Sequence, residues 1–262
     1  MDAQVGKAIG AAGVVLALVA IWIDALASQS YWDVDGTFSA FLLIMAILAG
    51  LAVLAGLERG MLVTGGILLG FYGFFPAALA TDQWKILDAG AWLGLCGGAL
   101  VMLAALSALV PAWLSARPGP PMPSPVAIGL AVVGLVLSIV AIWPKADSGG
   151  SYWKHDGFGH SLAIVMLILA GAAGLGIVGT FAMQTRAATG LAAVAGVILC
   201  GLLLALPVGD AFNSLGELRA GGWLGFFGGL LLAAGTVMAL GEKVSIGIAP
   251  VRGGPVTPPA AM

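Results

Sequence analysis

Eight apolar segments, each about as long as a bilayer is thick, occupy most of this sequence. A helix that spans the hydrocarbon core needs about 20 predominantly apolar residues. The segments are roughly residues 8–24, 37–57, 60–80, 90–113, 126–143, 160–181, 188–207 and 221–241. The sequence therefore predicts an all-α integral membrane protein with eight transmembrane helices.

The scarcity of charge supports the same class. Of the 262 residues, 61% are hydrophobic and 8% are charged. A soluble domain carries about 25% charged residues, because its surface must be solvated. The net charge of −2 excludes a polybasic nucleic-acid binder. We expect membrane lipids around the chain and no nucleic acid among its partners.

The sequence also contains an internal repeat. The matching stretches include AIW at 20–22 and 141–143, SYW at 30–32 and 151–153, and GxWLGxxGG at 90–98 and 221–229. One constant offset in residue number joins the copies as far as Gly171, and an offset larger by ten joins them from Pro207 onward. We call these the shorter offset, which joins Trp32 to Trp153, and the longer offset, which joins Trp92 to Trp223. Apolar composition alone does not repeat Trp, Tyr and Pro in one order, so we infer a tandem duplication in which ten residues were gained.

The repeat divides the chain into four parts. We predict a first four-helix repeat at 1–114, a Pro-rich linker at 115–125, a second repeat at 126–241 and a Gly/Pro-rich tail at 242–262. A unit with an even number of spans ends on the side where it began. The two repeats should therefore share one orientation, with a pseudo-twofold axis along the membrane normal, unlike inverted-topology transporters.

Orientation follows from the Lys and Arg residues of alternate loops. Six lie on the side of the two termini and four on the other side, and the richer side is expected to be cytoplasmic. The six are Lys7, Arg59, Arg117, Arg186, Lys243 and Arg252, and the four are Lys85, Lys145, Lys154 and Arg219. We expect a multi-pass protein, in a bacterial inner membrane, with both termini in the cytoplasm.

The motif SYWxxDG occurs in one outer loop of each half. In one interpretation its aromatic residues anchor the loop at the headgroup level and its aspartates set the entry into the next helix. In the other, the two loops form a joint outward surface for a lipid, polysaccharide or partner protein. That candidate surface consists of Tyr31, Trp32, Asp35, Tyr152, Trp153, Asp156 and His160.

Glycines four residues apart form a ladder in the fourth segment and again in the eighth. Such spacing puts them on one helix face, where they permit close helix packing of the glycine-zipper type. The ladders are Gly90, Gly94 and Gly98, and Gly221, Gly225 and Gly229. The sequence leaves open whether the partner helix is internal or belongs to another chain. Gly176, outside both ladders, is expected to tolerate a larger side chain better.

The sequence offers little that could carry chemistry. Ionisable residues at bilayer depth usually mark ion or substrate paths, and here the charges lie in loops or at helix ends. His155 and His160 are the only histidines, and Cys96 and Cys200 lie in apolar segments. No phosphate-binding loop, GxSxG or HExxH motif is present. We therefore expect no enzyme activity, no catalytic residue, no cofactor and no metal.

The four-helix unit with a Trp-bearing first outer loop resembles claudin-type tetraspan proteins in topology alone. The paired loop cysteines of that group are absent, so no residue role is transferred. The leading hypothesis is a non-catalytic membrane subunit or scaffold that packs with other integral membrane proteins or as a homo-oligomer. The alternative is a channel or carrier for an uncharged or lipidic solute between the repeats. A third hypothesis is a membrane enzyme that uses the outer-loop residues Asp33, Asp35, Asp156 and His160.

Overall fold

A computed structural model describes most of the chain. It covers residues 3–34, 36–79, 86–115, 123–147, 150–154, 160–183, 185–213 and 218–241. The predicted tail, most of the predicted linker, and two of the predicted surface residues, Asp35 and Asp156, lie outside these ranges.

The described residues form helices and two short β-hairpins. The first half contains α1 (Ala3–Ala20), β1 (Asp24–Leu26), β2 (Gln29–Ser30), α2 (Tyr31–Val34), α3 (Gly36–Ala55), α4 (Glu58–Leu79) and α5 (Ala89–Ser115). The second half contains α6 (Pro125–Val140), β3 (Lys145–Asp147), β4 (Gly150–Ser151), α7 (Ser161–Met183), α8 (Arg186–Asn213) and α9 (Ala220–Gly241). The predicted all-α membrane class is confirmed, with the hairpins as the exception.

Six of the described helices are long and apolar enough to cross a membrane, namely α3, α4, α5, α7, α8 and α9. Helices α1 and α6 are apolar but shorter, at 18 and 16 residues. Both stop before the end of the predicted segment, because the chain tightens into turns with i to i−3 hydrogen bonds. The amide of Trp22 donates to Val19 O at 3.1 Å, and the amide of Ile142 donates to Ile139 O at 3.2 Å.

Within each half the short helix packs along the last helix. Helix α1 lies against α5, and a Cβ added at Gly13 would lie 2.7 Å from Gly97 O. Helix α6 lies against α9 in the same way, and a Cβ added at Gly134 would lie 2.8 Å from Gly228 O. No side chain larger than hydrogen fits at these crossings, so the helices touch through their backbones.

The hairpins lie at the same end of the bundle, which we call the hairpin end. In the first, Asp24 pairs with Ser30, and in the second, Lys145 pairs with Ser151. Each hairpin is held against the residue before the last helix of its half. The amide of Asp88 donates to Ala25 O at 3.0 Å, and that of Arg219 donates to Ala146 O at 2.8 Å.

Contacts between the halves run mainly through α4 and α8. A Cβ added at Gly70 would lie 2.9 Å from the Cα of Gly201, and one added at Gly201 would lie 3.0 Å from the Cα of Gly70. Four residues earlier, a Cβ at Gly66 would lie 3.0 Å from the Cβ of Val197. The two helices therefore cross at backbone distance and run in the same direction.

At the opposite end of the bundle, the α7–α8 helical hairpin is longer than the α3–α4 helical hairpin. Helix α3 ends at Ala55, whose counterpart at the shorter offset is Gly176, but α7 continues for seven further residues to Met183. Helix α4 begins at Glu58, whose counterpart at the longer offset is Thr189, but α8 begins three residues earlier. Seven residues of helix extend about 10 Å.

Candidate interaction surface at the hairpin end

The structure separates the tyrosines of the SYW motifs from the tryptophans. Tyr31 is 1% exposed and Tyr152 is fully buried, so both lie beneath the surface that the sequence predicted. The ring of Tyr31 stacks on Phe38 at 5.6 Å between centroids and meets the edge of Tyr72 at 5.4 Å. Tyr72 in turn donates a hydrogen bond to Ala17 O at 2.6 Å. The tyrosines therefore connect the loops to the core.

The tryptophans of the same motifs lie on the surface and are paired. Trp32 is 37% exposed, and its ring lies 6.4 Å from that of Trp22 at the end of α1. Trp153 is also 37% exposed, and its ring lies 6.5 Å from that of Trp143 at the end of α6. Each half thus presents a tryptophan pair at the hairpin end, where indole rings suit a membrane interface or a partner protein.

Trp22 and Trp143 were missing from the sequence prediction. Each belongs to the repeated AIW stretch at the end of its short helix. The repetition of AIW could have drawn attention to these two tryptophans. The sequence does not show, however, that each indole ring lies against a second tryptophan ten residues later. The exposed aromatic surface is therefore larger than the SYW motifs alone indicate.

His160 joins the second pair. Its ring stacks on that of Trp153 at 5.1 Å, and its Nδ1 forms a short hydrogen bond with the backbone oxygen of the same residue. The first half has no histidine at the matching place, since position 39 is a buried serine. Asp35 and Asp156, the acidic residues of the predicted surface, lie outside the described residues.

Asp33 organises the first hairpin. Its carboxylate accepts hydrogen bonds from the hydroxyl of Ser30 at 2.6 Å and from the amide of Ser30 at 3.1 Å. These two bonds favour the ionised form and lower the pKa of Asp33, the hydroxyl contributing most. In the second half Lys154 stands at this place, and its amide donates to the hydroxyl of Ser151 at 3.1 Å.

The turn of the first hairpin is strained. Ala27 and Ser28 both have positive φ, at 49° and 62°, which is costly for residues with a Cβ. Asp88 holds this turn in place, because its carboxylate accepts from the Ser28 amide at 2.6 Å. The amide of Ala27 also donates to Ile86 O at 2.8 Å. The segment before α5 therefore positions the hairpin that carries the first tryptophan pair.

The ladder glycines contact helices and loops of their own half. A Cβ at Gly90 would lie 2.5 Å from Ile23 O, and one at Gly98 would lie 2.6 Å from the Leu69 amide. Gly94 lies under the ring of Tyr72. In the second half, Gly221, Gly225 and Gly229 meet Pro144, Leu203 and Cys200. The partner of each ladder is thus a helix or loop of the same chain.

Two glycine predictions need correction. The ladders omit Gly97 and Gly228, where an added Cβ would lie 2.6 Å from the Ala17 amide of α1 and the Ser138 amide of α6. Gly176 was expected to tolerate a larger side chain, and this was wrong. A Cβ there would lie 2.5 Å from the Ala192 amide. Among the glycines of the described helices, Gly129 and Gly171 have no atom within 4 Å and are the appropriate controls.

The hydroxyls inside the long apolar segments are hydrogen-bonded to their own helices. Each donates at 2.8 Å to a backbone oxygen three or four residues earlier. They are Thr64, Ser107, Ser138, Thr180 and Thr236. Within the described part of the chain, the Tyr72 hydroxyl of α4 instead donates to Ala17 O of α1, and the buried hydroxyls of Tyr31 and Ser39 have no partner there.

One pocket opens at the end opposite the hairpins, inside the second half. It lies between α6, α7, α8 and α9, holds about 20 Å³, which is room for about one water molecule, and most of its lining is apolar. Its hydroxyls belong to Thr180, Thr189 and Thr236, and those of Thr180 and Thr189 lie 3.1 Å apart. No group of three or more His, Cys, Asp or Glu residues within the described ranges is arranged to hold a metal ion.

Comparisons with protein-family models, with curated proteins and with solved structures find no match to this chain. The geometry described above is therefore the basis for the function proposed next.

Proposed function

We propose that this chain is a non-catalytic integral membrane subunit or scaffold that packs with other membrane proteins through its hairpin end. The observation that carries the proposal is a contrast between interior and surface. Five serine and threonine hydroxyls of the apolar helices are bonded to their own backbone, whereas four tryptophans at the hairpin end are exposed in two pairs. Tryptophan is enriched among the residues that contribute most of the binding energy at protein interfaces.

The interior suits a structural role. A path for an ion or polar solute needs groups that can replace water, and a hydroxyl already bonded to its helix offers its donor elsewhere only by breaking that bond. The ladder glycines are occupied by contacts within the chain, so they do not form the docking site for a partner. The surface that we assign to a partner is therefore the pair of exposed tryptophan pairs at the hairpin end.

The proposed architecture is eight spans in two tandem repeats. Its support is that contacts recur between counterparts in the sequence repeat. A Cβ at Gly90 would lie 2.5 Å from the oxygen of residue 23, and one at Gly221 would lie 2.5 Å from the oxygen of residue 144. Helices α1 and α6, about 27 and 24 Å long, lie along helices that are long enough to span. Together with the turns that follow them, α1 and α6 are the seventh and eighth spans of the proposed architecture.

The contact between the halves supports an axis along the membrane normal. Gly66 faces Val197 and Gly70 faces Gly201, and in each pair the second residue is the counterpart of the first at the longer offset. Residues that meet their own counterparts lie on a twofold axis. Because both pairs progress in the same direction along α4 and α8, that axis runs parallel to the helices. An in-plane axis would pair them in opposite directions.

The alternative, a channel or carrier with its path between the repeats, receives less support. At the crossing of α4 and α8 the Cβ positions of Gly70 and Gly201 lie 3.0 Å or less from the facing backbone, which leaves no room for a solute. The apolar pocket lies within the second half instead. A bacterial inner-membrane location with cytoplasmic termini remains part of the proposal and is supported by the Lys and Arg bias.

The test is purification of the tagged chain from its own membranes in a mild detergent, with quantification of co-purifying membrane proteins. The double variant Trp32→Ala and Trp153→Ala should lose those proteins while its melting temperature stays close to wild type. Leu54→Ala, which removes a 78% exposed apolar side chain from the opposite end, is the control and should keep them. A chain that purifies alone and folded, or a double variant that keeps every partner, would contradict the proposal.

A further inference from the structure

The hairpin end carries opposite charges in the two halves at matching positions. Two acidic residues of the first half have lysines as their counterparts at the shorter offset, and a third has an arginine at the longer offset. These are the same offsets at which the motifs repeat. The acidic surface consists of Asp24, Asp33 and Asp88, and the basic surface consists of Lys145, Lys154 and Arg219.

Matching members occupy the same local structure. Asp24 is the first residue of β1 and Lys145 the first residue of β3. Asp33 and Lys154 each follow the exposed tryptophan of their SYW motif. The amides of Asp88 and Arg219 bind the middle strand residue of their own hairpin, as described above. The inversion of charge is therefore a difference between side chains on one shared backbone arrangement.

These side chains are accessible. Five of the six are exposed, and Asp88 is half-buried. Asp24 and Lys145 make no side-chain hydrogen bond to any other residue that the structure describes. The second hairpin also has an acidic residue, Asp147, but it is buried and accepts from the Gly150 amide at 3.2 Å. Among the side chains that the structure describes, the exposed charges beside the first hairpin are thus acidic and those beside the second are basic. The other charged residues of these loops have side chains outside that description, namely Asp35, Asp82 and Lys85 in the first half and Asp156, Asp210 and Glu217 in the second.

The two surfaces lie in different parts of the molecule. Each hairpin follows the short helix of its half, and α1 packs mainly on α5 and α3, while α6 packs mainly on α9 and α7. The halves meet instead through α4 and α8. The hairpins therefore sit away from the crossing, on opposite sides of it, each beside its own tryptophan pair.

We propose that the acidic surface of one copy binds the basic surface of a second copy that stands beside it in the same membrane. Copies in one membrane face the same way, so an acidic side chain of one can meet a basic side chain of its neighbour in head-to-tail order. Complementary charge of this kind sets the orientation of partners and makes association depend on salt. The proposal rests on the scaffold function and names one partner, a second copy of this chain.

The experiment uses purified full-length chain labelled with donor or acceptor dyes and reconstituted together at low density in phosphatidylcholine vesicles. Energy transfer between wild-type copies is expected at about 0.1 M salt. At about 1 M salt the screening length falls from about 10 Å to about 3 Å, and the association constant should fall about tenfold.

Charge exchange gives the sharper readout. One variant carries Asp24→Lys, Asp33→Lys and Asp88→Arg, and the other carries Lys145→Asp, Lys154→Asp and Arg219→Asp. Each substitution places at one position the charge that its counterpart in the other half carries. Asp33→Lys and Asp88→Arg also remove hydrogen bonds that hold the first hairpin, so the melting temperature of both variants is measured before their association. Neither variant should associate with itself, but a mixture of the two should associate at least as strongly as wild type.

A smaller pair guards against misfolding. Asp24→Lys changes only a side chain without described hydrogen bonds and should weaken self-association, whereas Glu58→Lys makes the same change of charge at the opposite end and should not. Self-association that is equal in both exchange variants and wild type, or no energy transfer for wild type at any salt concentration, would overturn the proposal. Co-purification of other membrane proteins in that case would leave the scaffold function standing.

Discussion

Substitution of Gly70 by alanine is the most informative perturbation of the packing. Its Cβ would lie 2.2 Å from Ile198 O and 2.9 Å from the Cα of Gly201. Unstrained contacts of a carbon atom lie at about 3.5–4.0 Å, so α4 and α8 must part by about 1 Å here. A gap of that size forfeits about a quarter to a half of each neighbouring contact, and overpacking costs about 1–3 kcal/mol. We expect Gly70→Ala to lower the free energy of unfolding by that amount.

The matched control is Gly129→Ala, because no atom lies within 4 Å of the added methyl group. Alanine is a better helix former than glycine, so this variant should unfold like wild type or slightly later. The assay is equilibrium unfolding in mixed micelles with increasing dodecyl sulfate, followed by tryptophan fluorescence. The double variant Gly70→Ala and Gly201→Ala should cost less than the sum of its parts, since the first methyl group has already parted the helices. If Gly70→Ala unfolds together with Gly129→Ala, the close crossing is refuted.

Three further predictions follow from particular contacts. Gly225→Leu should lower the melting temperature, because Leu203 and Tyr152 already crowd this position, whereas Gly171→Leu, on an open face, should not. The lowered pKa of Asp33 stabilises the folded state at pH values above the usual range of an aspartate, and this contribution is lost as the pH falls through the lowered value; acidification below about pH 4 should therefore reduce the melting temperature of wild type more than that of Asp33→Asn. In a background without the native cysteines, Arg186→Cys should react with an impermeant reagent only after the cells are permeabilised. Labelling of intact cells would show that the protein has the opposite orientation in the membrane.

The sequence predicted the class of fold well because membrane class depends on local composition. Long apolar runs and a motif repeated at a constant offset can be recognised without knowledge of any contact. It placed the ends of α1 and α6 three or four residues too late, because the last apolar residues of those segments, such as Trp22 and Trp143, belong to turns. Whether an apolar residue continues a helix or turns toward a hairpin depends on what packs against it.

The glycines and aromatic residues show why the rest escaped prediction. Gly97 and Gly176 make backbone contacts that no ladder pattern singles out, because the facing helix decides which side of a helix is crowded. Tyr31 and Trp32 are neighbours in one motif, yet one is buried and the other exposed. The opposite charges of the two hairpins can be read from the sequence once the halves are aligned. Only the structure shows that these side chains are exposed at the same end of the bundle.

Cysteine cross-linking at the crossing of α4 and α8 is the most direct test that these two helices pack in parallel and join the two halves. A Cβ at Gly66 would lie 3.0 Å from the Cβ of Val197, and a disulfide needs about 3.5–4.5 Å between the two Cβ atoms, which a small separation of the helices supplies. With the native cysteines removed and a protease site placed in the linker, Gly66→Cys and Val197→Cys should form a disulfide that keeps the cleaved halves together on a non-reducing gel. Gly66→Cys with Gly171→Cys should not. Separation of the halves in the first variant, under oxidation in intact membranes, would contradict the parallel glycine-lined crossing.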